Sequence, residues 1–389
     1  MINKKKFLFI YYIVLTIFFI IYFSPKIYAS SIDSELSINK ENFGIENFIS
    51  EATKYTDGFF QDEDIGNIFN NAISGKTDNI KIFEKILKVI EPEFLTTLKM
   101  ITTILVIIII HSILKSVSES LENEGIAKMI YYVQYILIVT VVMASFTDIL
   151  KMVENTITEL VAFMNLLVPL LITLMLYTGS IVTSGMIQPI LLFVINFVGN
   201  TIQFIIIPLT LIFTALIIIS KLSNQVQIQK LSKFIKSGII WFFGIILTVF
   251  VIIVSLEGTL SSGVDGLTAK ATKSIVSSAV PVVGKILGDA IDSVIGSGII
   301  LKNAVGFVGV IIVIGISIIP IIKLALLSFA YSVLGAIVEP IADEKITKLL
   351  GQVGDVFKIL LAILSALSFL LIIGTALTLK ISNTGMMYR

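Results

Sequence analysis

The carboxylates and amines best spaced for chemistry lie in one glycine-rich stretch, residues 281–306. Asp289 and Asp292 stand three positions apart, so a helix places both on one face, a spacing that suits an acid–base pair. Lys285 precedes Asp289 by four residues and can form an ion pair with it instead. Neither carboxylate belongs to a Gly-x-Gly-Asp motif, and the chain has no His-Glu-x-x-His or Gly-x-Ser-x-Gly sequence. The pattern favours a solvated polar face, and we expect no enzymatic activity.

Side chains that bind metals or act as thiol nucleophiles are scarce. The chain has no cysteine and a single histidine, His111. Disulfides, thiolate metal sites and cysteine nucleophiles are therefore excluded, and His111 alone cannot build a metal cluster. The formal net charge is +1 without a long basic run, which argues against a nucleic-acid partner. We expect no metal or other cofactor.

The opposite face of the glycine-rich stretch is apolar. Val283, Ile286, Leu287 and Ile291 recur at spacings of three and four residues, which predicts an amphipathic helix bounded by a proline. Its glycines have the spacing that lets membrane helices approach closely. We predict a re-entrant or interfacial helix that serves assembly. The residues of this assembly and packing motif are Pro281, Gly284, Gly288, Asp289, Asp292, Gly296, Lys302, Asn303, Gly306 and Gly309.

The composition places these residues in a membrane protein. Of 389 residues, 56% are hydrophobic and 14% are charged, outside the usual range for a soluble domain. After Pro92, apolar windows recur that are about twenty residues long, enough to cross about 30 Å of hydrocarbon. We therefore predict an all-α polytopic protein with about nine transmembrane helices. The windows are 95–114, 129–147, 159–178, 181–199, 202–220, 238–256, 304–322, 324–339 and 359–379.

Two segments precede these windows. Residues 1–29 have the three parts of a signal peptide: lysines, an apolar run and a small residue, Ala29, after which we expect cleavage. An uncleaved anchor is the alternative. Residues 30–93 carry thirteen Asp or Glu against six Lys and form an acidic exported segment. Its last part, with Ile80, Phe83 and Leu87 at helical spacing, predicts an amphipathic helix that lies against the membrane or a partner, or that packs within a small domain.

The lysines predict which side each loop faces. The loop between the fifth and sixth windows carries Lys221, Lys230, Lys233 and Lys236 and no acidic residue, so we expect it in the cytoplasm. The domains that follow from this count are residues 94–256 with six transmembrane helices, an exported glycine-rich amphipathic loop 257–303, and residues 304–389 with three transmembrane helices and a cytoplasmic tail. Only the eighth window is short enough to be re-entrant.

Prolines interrupt several windows, at Pro169, Pro189, Pro208 and Pro320. Broken helices at membrane depth bind ions or substrate in transporters, but prolines are also common in ordinary membrane bundles. A proton-driven carrier would bury a carboxylate at mid-depth, and no window has one there. The pattern favours helix packing over transport.

The glycine-rich stretch closely resembles the signature region of the stage III sporulation protein AE family of endospore-forming bacteria. The resemblance extends more loosely through residues 323–343 and agrees with the order of signal peptide, acidic segment and polytopic body. The matching residues are Pro281, Val282, Val283, Gly284, Asp289, Asp292, Leu301, Lys302, Asn303, Ala304, Val305, Gly306 and Gly309.

The resemblance implies a membrane platform in the transenvelope, secretion-like channel complex that joins mother cell and forespore. It implies a multi-pass location in the mother-cell membrane around the forespore. The partners it implies are the ATPase-like and ring-forming proteins of the stage III sporulation A operon and the forespore stage II sporulation protein Q, together with membrane lipid. The alternative is a permease that itself transports small molecules.

Overall fold

The computed structural model describes residues 43–55, 59, 64–75, 82–120, 124–222, 230–253 and 283–387. Every regular element in these ranges is a helix, as the sequence predicts. The predicted signal peptide, Pro281 and most of the loop before it lie outside the described residues. The fold class, an all-helical protein with several helices apolar enough for a membrane, is thus confirmed.

Two short helices come first, α1 at Ile45–Thr53 and α2 at Ile65–Ile73. The α1 helix follows Gly44, whose φ of 65° lies in the left-handed region that glycine adopts without strain. The α2 helix begins at an N-cap, because the Asp64 side chain accepts a hydrogen bond of 2.8 Å from the Gly66 amide. Both helices bury an apolar face against the longer helices.

Six long helices form the body of the protein. They are α3 at Ile82–Ser120, α4 at Glu124–Tyr177, α5 over the consecutive pieces Ile181–Thr201, Ile202–Ile206 and Ile207–Leu222, α6 at Lys230–Ile253, α7 at Val283–Val338 and α8 at Glu344–Met387. The middle piece of α5 is a single π-helical turn, so the helix axis continues through it. Each of the six is long and apolar enough to cross a membrane.

The count of nine transmembrane helices is not confirmed, because six of the predicted windows merge in pairs. Windows 129–147 and 159–178 fall in α4, 181–199 and 202–220 in α5, and 304–322 and 324–339 in α7. Hydropathy shows where the sequence becomes polar, which is not always where a helix ends. A helix can continue through polar residues, and even through proline, when neighbouring helices support it. The described part of the chain therefore has six membrane-length helices.

The re-entrant or interfacial helix is also not found as a separate element. Residues 283–303 form the first turns of α7, which continues without a break to Val338. No proline or turn sequence separates the amphipathic stretch from the apolar window after it, so the helix propagates through both. The structure has no boundary between elements at residue 303, and the predicted division into domains there stays a prediction.

Side-chain contacts define two ends of the bundle. At one end, Lys115 of α3 contacts Asp343 between α7 and α8, and Tyr131 of α4 contacts Lys221 of α5. We call this the basic end, for the lysines gathered there. At the other end lie the α4–α5 turn at residues 178–180, the start of α7 and Leu379 of α8. We call this the docking end, because α1 and α2 pack near it.

Candidate assembly surfaces at the two ends of the bundle

An ionic cluster joins three helices at the basic end. Asp343 lies between Val338 and the start of α8, where its carbonyl accepts hydrogen bonds from the first-turn amides of Ile346 and Thr347. Its carboxylate is 2.6 Å from Nζ of Lys115 and 3.0 Å from Nε2 of His111. A carboxylate only accepts hydrogen bonds, so Nε2 of His111 donates. The cluster fixes the end of α3 against the α7–α8 corner.

These contacts stabilise the charged form of the carboxyl. The hydrogen bond from His111, helped by Lys115 and opposed by partial burial, lowers the pKa of Asp343 to about 2 from its ordinary 3.8. The His111 ring is 2% exposed, whereas Asp343 is 25% exposed. The group is thus a partly solvated anchor between α3 and the α7–α8 corner, and its carboxyl is ionised at neutral pH.

Tyrosines and lysines complete the basic end. The Tyr131 hydroxyl donates to the Lys221 carbonyl at 3.0 Å, and the Tyr135 hydroxyl donates to the Ile218 carbonyl at 2.5 Å. Nζ of Lys345 lies 5.5 Å from the centre of the Tyr131 ring, within cation–π range. The two hydrogen bonds join the ends of α4 and α5, and Lys345 places a positive charge beside them.

At the docking end, the described part of the acidic segment 30–93 packs on α4. Phe163 of α4 is fully buried, and its ring centre lies 6.4 Å from Phe48 and 5.5 Å from Tyr55. Phe43 meets Tyr177 edge to face at 4.5 Å. Aromatic rings at these distances attract beyond simple area burial. Residues of the acidic segment therefore pack on α4 near Phe163 and Tyr177.

The predicted packing motif contributes two glycines to close helix contacts. A Cβ added at Gly306 would lie 2.4 Å from a methyl carbon of Leu379 in α8, and one at Gly309 would lie 2.5 Å from Leu167 in α4. A Cβ added at Gly298, close by in sequence, would lie 2.8 Å from a ring carbon of Tyr177. Such distances leave no room for a side chain, so α7 approaches α4 and α8 as glycine-mediated membrane packing requires.

The other motif residues have different surroundings. Lys302 is fully buried, and its Nζ lies 3.5 Å from the Leu379 carbonyl. Asn303 is half-buried, and Gly296 has open space where a Cβ would be. Four more motif residues lie in the first turns of α7, where the structure describes the helix but not the side chains: Gly284, Gly288, Asp289 and Asp292.

An amide pair that the spacing did not identify links α4 to α5. Nδ2 of Asn196 donates to Oδ1 of Asn165 at 2.9 Å, and Nδ2 of Asn165 donates back at 3.2 Å. Further along, Gln203 donates to the Thr158 hydroxyl at 2.7 Å. Polar residues in apolar helices commonly make such bonds, which is the signal that could have predicted this pair. The two halves of the hairpin are thereby held in register.

The described residues offer little to hold a metal or a substrate. Within them, no group of three His, Asp or Glu lies close enough for a metal site. An apolar cavity between α4, α5, α6 and α8, lined in part by Met164, Leu191 and Phe250, has a volume of about 10 Å³. That space holds about one water molecule. The two ends of the bundle are the candidate surfaces for function.

The fold defines a polytopic helical membrane protein with an ionic cluster at one end of its bundle and two short helices packed at the other. The family model "Stage III sporulation protein AE" matches residues 64–382, and the chain belongs to this family. It is 27% identical over 297 residues to the Stage III sporulation protein AE of Bacillus subtilis strain 168, which covers 76% of this chain and 74% of that protein. No solved structure matches the chain.

Proposed function

We propose that the chain is the membrane platform of a sporulation-specific channel complex that joins mother cell and forespore. The family gives it a role in sporulation. The observation that supports a platform is the division of the bundle into two unlike ends, one rich in lysine and one covered by α1 and α2 of the acidic segment. A protein with distinct surfaces on both membrane faces can connect partners that never meet.

The basic end is the surface for a cytoplasmic partner. Lysines at the cytoplasmic ends of membrane helices are the rule in multi-pass proteins, which supports placing this end in the mother-cell cytoplasm. Lys348 is exposed here, and Lys345 lies over Tyr131. The ATPase-like member of the complex binds at this end.

The docking end is the surface for ring-forming partners between the two membranes. The segment 30–93 has a net charge of minus seven, and its helices α1 and α2 pack against the bundle. Exposed acidic groups such as Glu51 face outward there. Ring-forming members, and through them the forespore stage II sporulation protein Q, bind this end, and the chain resides in the mother-cell membrane around the forespore.

Site-specific photocrosslinking in sporulating cells tests the proposal. A photoreactive residue at Lys348 should capture the cytoplasmic ATPase-like member, and one at Glu51 should capture ring-forming members. Both side chains are exposed, so neither substitution disturbs the fold. Capture of the same proteins from both positions, or of none of the complex from either, would contradict a two-sided platform.

The permease alternative has a separate test. Purified chain in lipid vesicles should not transport small solutes, because the interior cavity among α4, α5, α6 and α8 holds about one water molecule. Solute flux through the chain alone would favour a permease over a platform. The two experiments are independent, since one reports neighbours and the other reports transport.

A further inference from the structure

One ridge of exposed side chains runs along the outer half of α5, the half nearer the docking end. Its members follow one another at seven, four, three and four residues, so they lie on one face of the helix. We call this set the α5 ridge: Met186, Phe193, Phe197, Asn200 and Phe204. Phe193 is 66% exposed and Phe204 is 75% exposed. Phe193, Phe197 and Phe204 are among the more exposed aromatic side chains of the described residues.

Lipid cannot cover the whole length of this helix. The apolar helix Ile181–Lys221 has 41 residues, which is about 60 Å, twice the roughly 30 Å of a hydrocarbon core. Exposed apolar side chains occur near both of its ends, at Met186 and at Ile219. About half of the length of this helix, together with its exposed side chains, therefore lies outside the hydrocarbon.

The outer half is the one that leaves the membrane. The other half ends at Lys221 in the basic end. Beside the outer half runs the part of α4 beyond Asp148, Lys151 and Glu154, three charged residues in succession along the helix. That part of α4 also carries Phe163, which packs on the exported segment. The α5 ridge thus faces an aqueous space, where exposed apolar patches mark protein contacts.

We propose that the α5 ridge binds the same ridge of a second copy of this chain. Two copies in one membrane share an orientation, so a symmetric pair has its two-fold axis along the membrane normal. Their α5 helices then run in parallel, and each ridge residue faces its own counterpart. This proposal goes beyond the platform role and does not depend on which partners the platform binds.

Charge and polarity favour a copy over a different protein. The α5 helix has no charged residue before Lys221, so two identical ridges meet without repulsion and a charged partner finds no complement. Asn200 is the one amide of the ridge, between Phe197 and Phe204. In parallel helix pairs, an asparagine at such a position pairs with its own counterpart and fixes the register.

The area is adequate for a specific contact. A buried aromatic side chain covers about 150–250 Å², so the exposed fractions of the ridge give roughly 500 Å² for each copy. The total of roughly 1,000 Å² reaches the lower limit for a biological interface. Phe193 and Phe197 already stack on each other, with ring centres 5.9 Å apart and planes at 16°. Binding therefore costs little conformational entropy in these two side chains.

Disulfide crosslinking in membranes tests the pairing, because the native chain has no cysteine. Phe197→Cys and Asn200→Cys should each form a disulfide-linked dimer on oxidation, since counterparts at the axis come within disulfide range. Trp241→Cys is the matched control, because Trp241 is a 70% exposed aromatic residue on α6. We expect at least about fivefold more dimer from the ridge than from the control.

A charge exchange at Asn200 provides a second readout. Asn200→Lys and Asn200→Glu should each abolish copurification of two differently tagged copies, because like charges then oppose each other. Coexpression of one Lys copy with one Glu copy should restore it. Restoration requires that position 200 faces position 200, which a general loss of folding cannot imitate.

Several outcomes would overturn the proposal. Absence of dimer from both ridge cysteines in stably inserted protein would mean that lipid, or residues 254–282 of the same chain, cover the ridge. Crosslinks to a protein of another mass would assign the ridge to a different partner. Equal dimer from Trp241→Cys, or failure of the charge exchange to restore copurification, would exclude the parallel pair.

Discussion

At the scale of single residues, the glycines of α7 differ in the space around them. Gly309 lies against Leu167, which is fully buried, whereas Gly296 has open space at the Cβ position. Gly309→Ala should lower the free energy of unfolding by about 1–3 kcal/mol through overpacking. Gly296→Ala should leave it unchanged or raise it by up to about 1 kcal/mol. Thermal unfolding in detergent measures both, and equal effects would refute the close contact.

Asp343 gives a prediction about pH. Its pKa of about 2 in the folded protein lies below the ordinary 3.8, so its contacts contribute stability above about pH 4 and lose it as the pH falls toward 2. Asp343→Asn should cost about 1–3 kcal/mol near neutral pH, because Lys115 and His111 lose a charged hydrogen-bond partner. The difference from the natural chain should shrink below about pH 4.

The control for Asp343 is Glu344→Gln. Glu344 pairs with Lys348 on the exposed surface of α8, where an ion pair contributes little. Unfolding temperatures of both variants across the acidic range distinguish the two sites. A constant difference between Asp343→Asn and the natural chain at every pH would show that the carboxyl does not act through its charge.

At the scale of elements, docking of α1 and α2 depends on Phe163. Phe163→Ala removes a buried ring that contacts Phe48 and Tyr55, at a cost of about 3–5 kcal/mol. Protease cleavage of the acidic segment should become faster by about tenfold or more. Trp241→Ala, an exposed aromatic change on α6, should leave the rate unchanged. Unchanged cleavage in Phe163→Ala would mean that other contacts hold the segment.

The elements also show what the sequence could and could not predict. Apolar windows indicate helices of membrane type, but the charged band from Asp148 to Glu159 separates two windows that a single helix joins. Hydropathy measures the preference for lipid, whereas helix continuity depends on neighbouring helices. The glycine spacing at Gly306 and Gly309 predicted close packing, yet their partners Leu167 and Leu379 depend on tertiary structure that no local pattern contains.

At the scale of the whole molecule, six crossings and nine crossings place the tail on opposite sides. Leu379 of α8 and Phe43 before α1 both lie at the docking end, so the tail after Leu379 shares a side with α1 and α2. Cysteines at Ser223 and Ser382 should label from opposite faces of the membrane. The nine-helix count predicts labelling of both from the cytoplasm, and that result would exclude six crossings.

The length of the continuous α4 helix sets the height of the α4–α5 turn. From Asp148 to Tyr177 the helix rises about 45 Å, more than the thickness of the hydrocarbon layer itself. A bundle of such helices is a stiff spacer that holds whatever binds the α4–α5 turn at a fixed distance from the lipid. Removing two turns from both arms of the hairpin would lower that point by about 10 Å. The lengths of α4 and α5 therefore set how far the α4–α5 turn stands from the basic end.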